Sequence, residues 1–226
     1  MSETSNPKII AVCLTFDHIR TGREKMFYDT VLSLTDGGRP VEVIIITNGS
    51  TDGTQDTVKR LGGIVDNTNS QIWYGMQTGI EEAIRRGGDL ILFTADDIVY
   101  SEGWAEKLVA FWEDAPEEVK LCSLILEPQY PWNTIRGTLD AGGMRAILRD
   151  SLGGACWSFR AKDWPIIGPL PQVQPGEDIP VCYRLIEQGY LLAQVELGAD
   201  VGERNSAWGN ESWRYAQPID RERWGI

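Results

Sequence analysis

The chain has 226 residues, of which 42% are hydrophobic and 24% charged, with a formal net charge of −12; this is an ordinary globular composition, long enough for one large domain with a real core. So acidic a balance argues against broad binding to a nucleic-acid backbone, which needs a basic face, while leaving room for a local basic groove. The polar start MSETSNPK has no apolar leader, and no run reaches the ~18 apolar residues of a membrane span, so a soluble, cytoplasmic protein without a transmembrane segment is expected.

In chain order, KIIAVCLTF (8–16) reads as a first strand, and 22–34 has helical spacing that stops at Gly37-Gly38. VEVIIIT (41–47) is a continuous apolar run, the pattern of a strand buried on both faces. A helix over 51–61 follows, with Asp52 or Thr54 as its cap and Gly62-Gly63 as its stop. GIVD (63–66) is a short strand; Met76, Ile80, Ala83 and Ile84 then mark one face of a helix ending at Gly87-Gly88. DLILFTA (89–95) is another buried strand, Trp104, Leu108, Phe111 and Trp112 line a helix, and VKLCSLIL (119–126) is a further strand.

From about residue 128 the pattern loosens, and EPQYPWNTIRGTLDAGGMRAI reads as irregular loop. GGACWSFR (153–160) is a strand, 177–189 a helix, 190–196 a strand, and the tail from there has no periodicity. Alternating strands and helices predict an α/β fold with a mostly parallel central sheet and helices on both faces. The whole chain, 1–226, reads as one domain. About 8–127 has the pattern of a nucleotide-binding scaffold, and about 128–226 shapes a second substrate site and ends in the tail.

Cys13, Cys122, Cys156 and Cys182 are widely spaced in apolar contexts, without metal-ligand spacing, and read as reduced core thiols. The single histidine, His18, excludes a multi-histidine zinc site. Any metal is therefore expected on oxygen ligands, which favours magnesium or manganese. The nine tryptophans are a high count; Trp208, Trp213 and Trp224 in the tail either line an acceptor site or pack on the core.

Three stretches carry chemistry. In IIITNGSTDGT (44–54) a buried strand runs into small residues and then a helix, the place where open α/β sheets bind ligands. The loop is neither a P-loop nor a dinucleotide fingerprint, and a merely capped turn is the alternative. In LFTADDIV (92–99) the strand ends on Asp96 and Asp97, a costly pair unless a cation or hydrogen bonds satisfy it; the alternative is one capping and one solvated carboxylate. In PGEDIPVCYRLIEQG (175–189) Glu177 and Asp178 open an amphipathic helix, either as ordinary helix-start acids or as a general base in a cleft.

In this order TNGSTDGT, TADD and GEDIPVCYR…G resemble the motifs of a GT-A-fold (Rossmann-like) glycosyltransferase of family 2, over about residues 8–200. The resemblance implies a metal-dependent inverting transferase that moves a sugar from a nucleotide-diphosphate sugar to an acceptor hydroxyl, with Mn2+ or Mg2+ as cofactor. It implies donor binding by Thr15, Phe16, Asp17, Asn48 and Asp52, with Asp97 as metal ligand and Asp96 on the ribose or supporting the site. Asp178 would be the base and Glu177 its neighbour on the acceptor; Gly153, Gly154 and Ala155 would lie near the donor sugar, and Arg184 would reach the diphosphate or an acid. Thr47 stands where the family usually has a base-reading Asp, and Gln77 replaces an Asn. The family's late metal-binding His is missing, leaving Asp200, Glu203 or water for its place. A UDP-sugar is the leading donor, a GDP-sugar the alternative, and a saccharide the default acceptor, with a hydroxylated base in DNA disfavoured by the charge. A nucleotidyltransferase on a related fold and a non-catalytic nucleotide-sugar-binding protein are the competing readings.

Overall fold

The computed structural model describes residues 6–124, 134–173 and 176–196. Nine strands form one sheet: β1 (Ile9–Thr15), β2 (Val41–Asn48), β3 (Ile64–Asp66), β4 (Leu90–Ala95), β5 (Val119–Leu124), β6 (Ile135–Ala141), β7 (Met144–Arg149), β8 (Cys156–Arg160) and β9 (Leu191–Val195). Six helices accompany them: α1 (Glu24–Thr35), α2 (Thr54–Arg60), α3 (Ile72–Arg85), α4 (Trp104–Asp114), α5 (Trp164–Ile167) and α6 (Asp178–Glu187). The sheet order is β3-β2-β1-β4-β8-β5-β9-β7-β6.

The first four strands are parallel, and β5 pairs with β9 in parallel. β8 and β7 run against their neighbours, so every other described strand points the same way and the sheet is mostly parallel by direction. Side chains alternate between sheet faces, and helices cover both. Gly79 of α3 lets that helix approach Val12 and Ile46, where a β-carbon would collide with Val12. On the other face, Trp112 of α4 donates its indole N–H to Ser158 Oγ at 3.1 Å, and Ser158 pairs in register with Leu92 and hence Ala11. Trp104, Trp157, Phe27, Phe111 and Phe159 are fully buried between these layers.

All four cysteines are buried and unbridged. Burial in apolar surroundings pushes the Cys156 thiol up to about 11, so it stays a neutral packing group at neutral pH. Among the described residues no helix is long and apolar enough to cross a membrane.

The strands and helices expected through residue 124 are present. The segment read as irregular loop differs: its described part, from residue 134, forms the β6–β7 hairpin around Gly142-Gly143. Both turn glycines have positive φ, at 59° and 73°, the geometry of a two-residue hairpin turn. β6 ends the sheet order and keeps Ile135, Arg136, Thr138 and Asp140 exposed, so its alternation is mostly polar and resembles a loop. What holds it is tertiary: β7 pairs with β9, and Gly142 N–H donates to Asp114 Oδ2 at 2.9 Å on α4. A β-carbon on Gly142 would meet the Ala110 carbonyl, in a backbone conformation that already disfavours side chains. Gly142→Ala is therefore expected to cost about 2–4 kcal/mol, from left-handed strain and overpacking. Thermal denaturation should show a fall of about 5–15 °C for a chain of this size.

Candidate active site

The ends of β1, β2 and β4 lie at one edge of the sheet, and β8, running the other way, begins there. Ala95 N–H at the end of β4 donates to the Ala155 carbonyl at 2.8 Å. The next residue back, Gly154, donates its N–H to Asp178 Oδ2 at 2.7 Å, at the first turn of α6. This chain of contacts brings the acids after β4 and the acids opening α6 to the same edge. Gly154 also lies close: a β-carbon there would be 3.2 Å from that of Asp178. The small residue thus lets α6 approach the strand.

Asp96 and Asp97 are buried, at 3% and 6% relative exposure. Asp96 has partners for both oxygens: Arg23 Nη1 donates to Oδ1 at 2.7 Å, and Thr15 Oγ1 donates to Oδ2 at 2.5 Å. Arg23 is itself buried, and also donates through Nη2 to the Phe16 carbonyl at 2.9 Å and through Nε to Thr21 Oγ1 at 3.0 Å. Because the Thr15 hydroxyl gives its proton to Asp96, it accepts at 2.9 Å from His18 Nδ1. That assigns the Nδ1–H tautomer to His18. Burial holds the imidazole below the ordinary histidine range, and its ring stacks on Phe27 at 4.4 Å.

Asp97 has no ion-pair partner among the described residues. Burial, and secondly the charge of Asp96, push its carboxyl up to about 6. A buried carboxylate in that condition fits a hard, oxygen-seeking cation. The described residues contain no group of three or more possible ligands, so the rest of a coordination shell would come from phosphate oxygens and water, as is usual for magnesium. Asp200 and Glu203 lie outside the described residues, as do the three tail tryptophans.

The residues expected on the donor fall into two groups. Phe16 is exposed, at 40%, and presents its ring at the edge. Asp17, at φ 46°, knits the first loop to the second: its N–H donates to Ser50 Oγ at 3.1 Å, its Oδ1 accepts from Thr51 N–H at 2.7 Å, and Oδ2 pairs with Arg20. Asp52 accepts from Arg20 N–H at 2.6 Å and from Thr54 N–H at 2.9 Å, at the start of α2. Asn48 is buried and donates to the Asn69 and Gln71 carbonyls at 2.9 and 2.8 Å. Thr47 is buried too, its hydroxyl 2.6 Å from that of Ser50. Thr15, Asp17 and Asn48 thus shape the loops from beneath, and Phe16 is the part turned outward.

On the other side, Glu177 is buried and Asp178 accepts from the Gly154 and Ile179 amides. The Arg184 guanidinium donates to the Ile167 carbonyl. Gln77 accepts from Leu170 N–H at 3.1 Å. These two therefore fasten the 167–170 segment to α6 and α3.

Arg23 is the site residue that sequence reasoning missed. A signal existed: two buried adjacent acids need a cation, and the loop after β1, on the same sheet edge, holds Arg20 and Arg23. Spacing alone does not choose between them. Burial does, since Arg23 is 7% exposed and the Arg20 side chain 62%.

The sequence model of Glycosyl transferase family 2 matches residues 20–158. Among solved structures, the mannosyltransferase PcManGT from Pyrobaculum calidifontis, in complex with GDP-Man and Mn2+, superposes with a TM-score of 0.67 at 16% identity, covering 95% of this chain and 61% of that one. Residues 1–349 of S. aureus TarS in complex with UDP-GlcNAc give 0.59 at 15% identity, covering 86% of this chain and 57% of that one. Glucosyl-3-phosphoglycerate synthase from Mycobacterium tuberculosis, in complex with Mg2+ and UDP, gives 0.56 at 15% identity, covering 85% and 70%. This chain spans about three fifths of the length of the first of these. At such identities the likeness is one of fold. No curated protein matches the sequence.

Proposed function

The chain belongs to glycosyl transferase family 2, and on that footing we propose that this glycosyltransferase moves a sugar from a nucleoside-diphosphate sugar to an acceptor hydroxyl in one inverting, metal-dependent displacement. The observation that supports this best is that the segment after β4, which carries Asp97, and the start of α6, which carries Asp178, lie at one sheet edge, linked through Ala95, Ala155 and Gly154.

Asp178 is the general base. Each of its oxygens accepts a backbone amide, which fixes the orientation of the carboxylate at the start of α6. The proton of the acceptor hydroxyl passes to Asp178 as the hydroxyl oxygen attacks the anomeric carbon. The bond to the diphosphate breaks on the opposite face, so configuration inverts. Glu177, next to it, contacts the acceptor or orients the base. Asp97 holds Mn2+ or Mg2+, which when bound offsets the charge developing on the diphosphate. Phe16 stacks on the nucleobase, and Thr15, Asp17, Asn48 and Asp52 keep the surrounding loops in shape. Gly154 admits the donor sugar close to Asp178. Asp96 supports the site.

A UDP-sugar is the favoured donor and a GDP-sugar the alternative, since complexes with both nucleotides occur among proteins of this fold. The acceptor is a saccharide or another hydroxyl compound; the net charge of −12 weighs against a nucleic acid. A thermal-shift panel of nucleotide sugars, each with and without Mn2+, tests the reading. One donor is expected to raise the melting temperature, and only with the metal, because a ligand bound by the folded state alone stabilises it. If no nucleotide sugar shifts the transition with Mn2+ present, the reading fails.

A further inference from the structure

Two adjacent carboxylates follow β4, and the buried Arg23 forms an ion pair with only one of them. The Arg23 fork is fixed in three directions, by Asp96 Oδ1 at 2.7 Å, the Phe16 carbonyl at 2.9 Å and Thr21 Oγ1 at 3.0 Å. Thr15 takes the other Asp96 oxygen. We infer that Arg23 is a positioning residue for the transfer site: it holds Asp96 in a neutral pair away from the metal, so that a divalent cation meets Asp97 as a lone carboxylate. The inference rests on the reading of Asp97 as metal ligand.

The charge balance shows why this matters. With Arg23 in place, Asp96, Asp97 and Arg23 sum to one negative charge, and a bound divalent cation leaves the site positive toward a diphosphate. Without Arg23 the two carboxylates attract the cation more strongly and oppose the diphosphate. The guanidinium is also needed for its shape, because a lysine ammonium cannot reach all three partners from one place. Arg23 therefore joins the loop that carries Phe16 to the acid that neighbours Asp97.

The test measures Mn2+ binding to the full chain by the electron paramagnetic resonance of free Mn2+, without nucleotide. Arg23→Met is expected to tighten binding about tenfold and Asp96→Asn to weaken it about tenfold, as removal of one nearby charge of either sign dictates. The double variant Arg23→Met/Asp96→Asn is expected to return within about threefold of wild type, because the removed charges cancel. With saturating Mn2+, UDP as probe is expected to bind Arg23→Met about tenfold more weakly. The inference is overturned if a folded Arg23→Met binds Mn2+ no more tightly than wild type. It is equally overturned if the double variant loses Mn2+, which would make Asp96 itself a ligand. Should Arg23→Met fail to fold with Asp96 unpaired, the double variant must still bind Mn2+ about tenfold more tightly than Asp96→Asn alone. Failure of the underlying reading has its own signature, Mn2+ binding that Asp97→Ala leaves unchanged, and that result removes both.

Discussion

Asp97→Ala is expected to abolish sugar transfer while making the metal-free protein more stable. Asp97 is buried, without an ion-pair partner among the described residues, and its carboxyl is pushed up to about 6 by burial and by Asp96. The folded-state value lies above that of an aspartate in an unfolded chain, so ionisation opposes folding. The penalty is absent below pH about 4, grows between about 4 and 6, and at neutral pH amounts to roughly 3 kcal/mol. Substitution removes it, less the small packing loss of the side chain. Urea unfolding at pH 7 is expected to show a gain of about 1–3 kcal/mol that disappears at pH 4. Transfer, by contrast, should fall at least about 10³-fold, and the Mn2+-dependent donor shift should vanish. In the wild type, activity should decline on acidification, with its midpoint below 6 when metal is saturating, because the cation competes with the proton. Loss of stability in Asp97→Ala at pH 7, or retention of Mn2+-dependent turnover, would show that Asp97 is not the isolated ligand described here.

Asp178→Asn is expected to lower kcat by about 10²–10⁴-fold, the usual contribution of a positioned base. The amide matches the carboxylate in shape and can still accept from Gly154 N–H through its oxygen, giving up only the bond from Ile179 N–H within the first turn, so α6 should stay docked on the segment beside β4. Donor binding, read by thermal shift with Mn2+, should change by less than about threefold; a change confined to kcat is the mark of an interaction made in the transition state. A variant that keeps more than a tenth of wild-type turnover would place the base elsewhere, with Glu177 next to be tried. A wild-type chain that binds a donor with Mn2+ yet transfers and hydrolyses nothing would be a binding protein. The two substitutions separate cleanly, because Asp97→Ala should remove binding and Asp178→Asn only turnover.

The first half of the fold was legible because its information is local. β1 and β4 are buried on both faces, as is β2 over its second half, and they read as apolar runs with Glu42 as their one charged residue, while the glycines ending α1, α2 and α3 mark the stops. β8 and β9 were legible for the same reason. The β6–β7 hairpin was not, since an edge strand with exposed Arg136, Thr138 and Asp140 has no strong period of its own. Its one local mark was Gly142-Gly143.

The candidate site divides along the same line. The order of the three motifs, and the placing of Asp97 at a strand end and Asp178 at a helix start, follow from the sequence alone, because strand, turn and helix signals each span only a few residues. The contacts Asp96–Arg23, Asp178–Gly154 and Arg184–Ile167 join residues far apart in the chain and were decided by the tertiary structure. Two neighbouring aspartates are chemically identical in the sequence. They become different only when folding removes both from water and delivers a guanidinium to one of them: burial pushes both carboxyls up, the ion pair with Arg23 offsets part of that cost for Asp96, and Asp97, without such a pair among the described residues, keeps a desolvation cost that a metal ion can relieve.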